Sequence, residues 1–366
     1  MLVTIMILTL QFAFIRGQNN ILDKPEILKR VEECLYNTYG CNFEEARQLQ
    51  QELQKAIPRH PAPYFLNALI VYWENFPLLP DDPKVESFED AMEQTIAHAE
   101  IIGSKDDGVM ESVFFEMHAR AFRGMYWADN GKATKLLADI DNMYRSTMKG
   151  IEYKEVFNEF YFSSGLYNYY IDAYVEKHPI YKPIASLFRE GSREVGLKEL
   201  QYAIDHTTYL KYESLLFMSL LQLNYELDYE KSLEYMSQLY NLFPKNIYYL
   251  GQYLIILMHD QKFTLASAIN DKLKKSKDHF SQVIYHMTRG FIEENKGEDF
   301  RVAKKHYRQV IDYYDEFGPI SGLYVSIAYA GLGRIAEVEG NEREARKLRR
   351  KSRQHSSYDF ILEYGQ

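Results

Sequence analysis

The sequence predicts an all-α fold, a stack of short antiparallel helix pairs, on three observations. A small residue followed by larger ones recurs at fixed helical offsets along most of the chain. Glycines recur in pairs seven residues apart. Proline is scarce, at 11 of 366 residues, while hydrophobic residues make up 46%, so amphipathic segments can run unbroken.

The register is clearest at Tyr212–Pro244, two amphipathic helices joined by a turn at Asp228–Tyr229 and stopped by a proline. Ser232, Met236, Leu239 and Pro244 lie at offsets 0, 4, 7 and 12. Ala46, Gln50, Leu53 and Pro58 repeat all four offsets. Ala266, Asn270 and Leu273 repeat the first three, as do Ala303, Tyr307 and Val310, and Ala345, Arg349 and Ser352. A small side chain at the crossing point is what two closely packed antiparallel helices need, and proline then ends the second helix. The glycine pairs are Gly124 and Gly131, Gly290 and Gly297, and Gly333 and Gly340. The earlier glycine of each pair is expected where paired helices approach, the later one in the turn between them.

With an aromatic residue, Leu-Gly, a turn glycine and a small residue in order, Tyr329, Leu332, Gly333, Gly340 and Ala345 resemble the tetratricopeptide repeat (TPR) family. The unit around Gly124 contributes Trp127, Leu136, Ile140 and Met143 to the same pattern. The unit ending at Pro244 departs from it, with Leu220 and Leu227 at its two glycine positions. The span Gly191–Asn246, opening with GSREVGLKELQYAID, and the upstream SGLYNYY are similar to an offshoot of the family that includes the inclusion-body clearance proteins of eukaryotes. The resemblance implies a right-handed α–α solenoid of about eight TPR-like helix pairs, forming one continuous body over residues 18–366.

In chain order the first pair is expected at Lys24–Pro58. The second has helices near Pro63–Asn75 and Phe88–Ile102, with a proline-bearing loop between. The third runs from Gly108 to about Met148. The fourth starts at Tyr153 and carries an insertion, Val175–Gly191, before a helix near Glu194–His206. The fifth is the stretch ending at Pro244, followed by Ile247–Lys277, Phe280–Asp315 and Ile320–His355. The apolar Phe360-Ile361-Leu362 is expected to cover the last pair.

The first 17 residues read as a signal peptide. Leu2–Ile15 is apolar but shorter than the roughly 20 residues of a membrane span. A cut before Gln18 resembles those of Bacteroidetes-type Gram-negative bacteria. A periplasmic or secreted location follows; the alternative is a cytoplasmic protein whose N-terminal helix docks on the array. No later stretch is apolar enough to cross a membrane. Cys34 and Cys41 flank the first inter-helix bend, where a disulfide and a pair of free thiols are both geometrically possible.

A net charge of −9 opposes a nucleic-acid-binding role. The basic run Arg346–Arg353 reads first as the solvated face of a terminal repeat, second as a site for an acidic partner. Motifs for zinc hydrolysis, a nucleophile elbow or a phosphate loop are missing; Gly131-Lys132-Ala133-Thr134 lacks the upstream glycine and strand. His118, His206 and His286 read as core or groove residues rather than ligands. No enzyme activity, cofactor or metal is expected.

The aromatic stretch 157–188 is the most unusual feature. Its phenylalanines and tyrosines at helical spacing would fill a core, or Tyr167, Tyr169, Tyr170, Tyr174 and Tyr181 would form a binding surface. Tyr169 and Tyr170 are adjacent, so at least one should face away from the core. The expected function is a non-catalytic exported scaffold or adaptor that presents a groove to a protein or peptide in the cell envelope. The alternative is a small-ligand or glycan-binding envelope protein that uses the aromatic stretch.

Overall fold

The computed structural model describes residues 24–104, 108–297, 299–356 and 358–364. The segment read as a signal peptide lies outside the described residues. All regular structure within them is helical, and sixteen helices each pack on the next. In order they are α1 (Pro25–Tyr39), α2 (Phe43–Ala56), α3 (Ala62–Glu74), α4 (Lys84–Gly103), α5 (Val109–Asp129), α6 (Ile140–Tyr153), α7 (Phe160–Lys177) and α8 (Arg193–His206). Then follow α9 (Lys211–Leu221), α10 (Tyr229–Leu242), α11 (Ile247–His259), α12 (Phe263–Asn270), α13 (His279–Lys296), α14 (Phe300–Asp312), α15 (Gly322–Val338) and α16 (Glu342–His355).

Odd-numbered helices also touch the next odd one: α1 with α3, α3 with α5, α11 with α13, and α13 with α15. Sequence dictates this layering. Helix α11, IYYLGQYLIILMH, is buried from Tyr249 to His259, whereas α14 and α16 bury narrow stripes, Ala303–Tyr307–Val310 and Ala345–Ser352. A helix that is apolar all round must be inside; a narrow stripe can cover it from outside.

The small residues sit where the offsets place them. Ala46, Ser232, Ala266, Ala303 and Ala345 are all buried. Across the α9–α10 crossing Ser219 and Ser232 exchange hydrogen bonds, each hydroxyl donating to the other's carbonyl at 2.8 and 2.9 Å. Gly333 lies against Ala345 and Leu348, Gly290 against the Tyr307 ring, and Gly124 against Leu136. Pro58 and Pro244 follow directly on the caps of α2 and α10. The insertion hid one such contact from the sequence. Gly165 of α7 meets Gly196 of α8 so closely that a Cβ on Gly196 would lie 2.7 Å from the Gly165 carbonyl oxygen.

Six turns share one backbone feature. Gly131, Gly297 and Gly340 have φ of +71°, +72° and +78°, and Cys41, Leu227 and Gln261 adopt φ of 58°, 55° and 58° at the equivalent point. The left-handed residue reverses the chain between paired helices, so the turn is preserved where the glycine is not. Leu227 follows a π-helical turn, Gln222–Glu226, that ends α9.

The array curls back on itself. Tyr39 at the end of α1 packs its ring on Tyr212 of α9, Phe243, and Tyr249 of α11, with centroids 5.4, 6.0 and 6.3 Å apart. Trp73 and Phe76 after α3 meet Tyr248, and Phe76 meets Phe280 of α13. Asn246 caps α11 by accepting from the Tyr248 and Tyr249 amides, while its amide nitrogen donates to the Tyr39 carbonyl at 3.2 Å. The terminal turn Asp359–Glu363 differs from expectation. Rather than covering only α15–α16, it reaches the π-turn after α9, and Phe360 packs on His259 of α11 at 4.8 Å. Its apolar side chains are drawn to the gap where the two arms converge.

Two stability outcomes follow. Gln261 is exposed, so Gln261→Gly relieves the left-handed strain without losing packing and should raise the thermal midpoint, while Gly297→Ala should lower stability by about 1 kcal/mol. Tyr39→Ala should cost about 4 kcal/mol in chemical denaturation, against less than 1 for the exposed Tyr36→Ala on the same helix.

Candidate functional site

Two adjoining pockets with aromatic walls lie along the inner helices. The outer one is a cleft of about 700 Å³ between α5, α6, α7 and the insertion. Its walls are Met117 and His118 from α5, Met143 and Thr147 from α6, and Phe162, Leu166, Tyr167, Tyr170 and Tyr174 from α7. Phe188 of the insertion and Tyr225 of the π-turn close the sides. Helical spacing explains the α7 contribution: positions 163, 166, 167, 170, 171 and 174 share one face.

Of the five tyrosines expected to bind, Tyr167, Tyr170 and Tyr174 line this cleft. The Tyr167 hydroxyl donates to the Arg189 carbonyl at 2.6 Å, which ties the end of the insertion to α7. Tyr170 packs edge-on against Tyr225 at 5.6 Å, and Tyr174 stands at the mouth beside His178. Tyr169 is corrected from a binding to a structural role. It is fully buried on the opposite face of α7, where its hydroxyl donates to Glu226, the carboxylate that also holds Arg193. Tyr181 closes a 3-10 turn, Pro179–Tyr181, and its side chain lies outside what is described. The insertion folds as that turn plus Lys182–Ala185, with Ile180 and Leu187 over 80% exposed beside the cleft.

Both cysteines are free thiols. Cys34 is buried in the α1–α2 contact and donates to the Ala46 carbonyl at 3.4 Å, and burial pushes its pKa up to about 12. Cys41 occupies the left-handed turn position.

The inner chamber, about 200 Å³, lies deeper between α3, α5, α7, α9 and α11. His118, Ala121, Phe162 and Leu166 line both it and the outer cleft, so the two adjoin across these side chains. Trp73, Tyr72, Phe122, Phe217, Tyr248 and Tyr249 make its wall aromatic. Polar groups within it lack protein partners. Glu213 accepts from the Tyr39 hydroxyl through Oε1, while its Oε2 has no hydrogen bond. His118 Nδ1 lies 2.8 Å from the Phe114 carbonyl and its Nε2 is unpartnered, as is Trp73 Nε1. Asp129, at the end of α5, faces the same space.

Burial shifts all three titrating groups toward neutrality. Glu213 is pushed up to about 8 and Asp129 to about 6, and His118 is held down to about 4 despite its carbonyl hydrogen bond. Nearby Glu159 has a different task. It accepts from the backbone amides of Thr208, Tyr209 and Leu210 at 2.6, 3.1 and 3.2 Å and so fixes the entry to α9; burial still pushes it up to about 7.

The sequence reading missed the inner chamber. Glu213 carries the one signal that was available, the only carboxylate in the mainly apolar KYESLLFMSLL. Asp129 reads from sequence as an ordinary polar residue at a helix end. Among the described residues no group of three or more His, Cys, Asp or Glu is placed to hold a metal, and no helix is long and apolar enough to cross a membrane. The basic face of α16 is paired in part with acidic neighbours, Arg346 with Glu342 and Arg349 with Glu337. No protein-family model matches the chain, and comparison with curated proteins finds no match.

The raised carboxylates set a pH dependence. A carboxyl whose pKa is higher in the folded state stabilises the fold at low pH and loses that contribution as pH rises through the folded value. Below pH about 7.5 the buried histidines oppose this, because their unfolded forms still release protons there; above it histidines are neutral whether folded or not and Glu213 dominates. The thermal midpoint should fall between pH about 7.5 and 8.5, and Glu213→Gln should flatten that decline; an unchanged slope in the variant would remove Glu213 from this role.

Proposed function

We propose that the chain is a non-catalytic, TPR-like right-handed helical-repeat protein that takes a small, mainly apolar ligand into the cleft between α5, α6 and α7. One observation carries the reading. The inner helices meet each other across the curl, so an extended peptide finds no open concave groove, while the cleft beside them is roomy, aromatic and bounded by the insertion. A volume of this order matches ligand pockets in general, and an apolar wall with few polar groups favours apolar surface over sugar hydroxyls. The rigid array holds Tyr167, Tyr170 and Phe188 in place, so little ordering entropy is lost on binding.

The second reading is a scaffold or adaptor for a protein partner. The strongly exposed Ile180 and Leu187 beside the cleft favour it, because apolar side chains at a rim are anchors for a partner surface. In both readings the protein acts in the periplasm or outside the cell after removal of residues 1–17, without cofactor, metal or nucleic acid.

The readings separate by experiment. The neutral fluorophore N-phenyl-1-naphthylamine should bind saturably, and Leu166→Trp, which fills the cleft, should weaken it at least tenfold while the thermal midpoint stays within a few degrees. An unaltered affinity in the filled variant would sink the cleft reading. Under the scaffold reading, Ile180→Asp with Leu187→Asp should abolish cross-linking to a defined partner and leave fluorophore binding intact. Export is tested by mass spectrometry, which should find the mature N-terminus near Gln18; an intact Met1 in the cytoplasm would refute it.

A further inference from the structure

The inner chamber differs chemically from the cleft beside it. Its unpartnered groups are mostly acceptors. Glu213 presents Oε2 without a hydrogen bond. His118 is 6% exposed, and its Nδ1 faces a carbonyl that can only accept; the proton therefore sits on Nδ1 and the bare Nε2 is a second acceptor. Asp129 adds a second carboxyl group. The donors on the wall are Trp73 Nε1, buried and unpartnered, and the hydroxyls of Tyr72, Tyr248 and Tyr249. No Lys or Arg lines the chamber, and among the described residues neither Glu213 nor Asp129 takes part in an ion pair.

Buried acceptors without donors carry a desolvation cost that a donor-bearing ligand would remove. A cation entering the chamber would draw Glu213 and Asp129, which burial holds toward their neutral forms, back to carboxylates, and the rings of Trp73, Tyr248 and Tyr249 offer π faces to it. The shared wall of His118, Ala121, Phe162 and Leu166 places the apolar cleft directly beside the chamber. A ligand that satisfies both spaces has a compact N–H-bearing cation at one end and an apolar chain or ring at the other.

We infer that the protein binds an amphiphilic primary amine, with its ammonium group in the inner chamber against Glu213 and His118 Nε2 and its apolar tail in the outer cleft; Asp129, eleven residues further along α5, lies about 16 Å from His118 and acts only at a distance. The inference rests on the ligand-cleft reading above and adds the charge and orientation of the ligand. It also assigns the polar residues of the chamber to recognition: His118 and Glu213 fix the ammonium, and Asp129 supplies long-range attraction. An anionic amphiphile of the same length is excluded by the same carboxylates.

The test compares three probes with one tail: octylammonium, octanoate and 1-octanol, titrated calorimetrically into the full chain. Octylammonium should bind at least tenfold more tightly than 1-octanol, and octanoate more weakly still. Glu213→Gln should cut octylammonium affinity toward that of 1-octanol, Asp129→Asn should cut it less, and both should leave 1-octanol binding unchanged, which also shows that the variants remain folded. Equal binding of octylammonium and 1-octanol, or octylammonium binding unmoved by Glu213→Gln, would overturn the inference while leaving the cleft reading in place. Failure of all three probes, with N-phenyl-1-naphthylamine also unbound, would overturn both.

Discussion

The structure depends on the meeting of Tyr39 with α9 and α11. This ring packs on four other rings, those of Trp73, Tyr212, Phe243 and Tyr249, its carbonyl accepts from Asn246, and its hydroxyl reaches Glu213. A helical array built from neighbour contacts is free to extend indefinitely, and nothing local tells it to close. Here a row of aromatic side chains on the first helices of the early pairs finds its counterpart on those of the later pairs. Burying these rings against one another contributes more than leaving either row in water. The curl, the enclosed interior and the position of the terminal turn all follow from that contact.

Closure has a chemical consequence. Once the inner helices converge, any polar group among them loses water. The fold gives some of these groups partners: Glu159 receives three backbone amides, and Arg334 makes a two-pronged pair with Glu294, at 2.6 and 3.0 Å, over the rings of Phe291 and Tyr364. It leaves Glu213 Oε2, His118 Nε2 and Trp73 Nε1 without any. Groups that are buried at a cost and not satisfied by the fold itself are where ligand chemistry is most economically sought. The wall they share with the Tyr170-lined cleft sets the apolar and polar halves of one proposed site side by side.

Much of the architecture was legible beforehand. The offsets anchored at Ala46, Ser232, Ala266, Ala303 and Ala345 mark helix crossings, and Gly131, Gly297 and Gly340 mark turns, because both features are local requirements of backbone geometry. The same logic missed Gly165 with Gly196, since the intervening insertion broke the period. The site was half legible. Tyr167, Tyr170 and Tyr174 share a helical face that periodicity can find, and the same periodicity could have set Tyr169 apart. Met117, Met143 and Tyr225 come from other helices and join the cleft only through packing.

The sequence by itself determined the helices, their pairing and their turns. Side-chain size at i, i+4 and i+7 and backbone freedom at one turn residue act over distances of a few residues. Only the tertiary structure decided that the array closes, that Glu213 and Asp129 share one chamber with His118, and that this chamber adjoins the aromatic cleft. Those facts depend on contacts between residues as far apart as Tyr39 and Tyr249, and no periodicity in a chain records which of its aromatic rows will face each other.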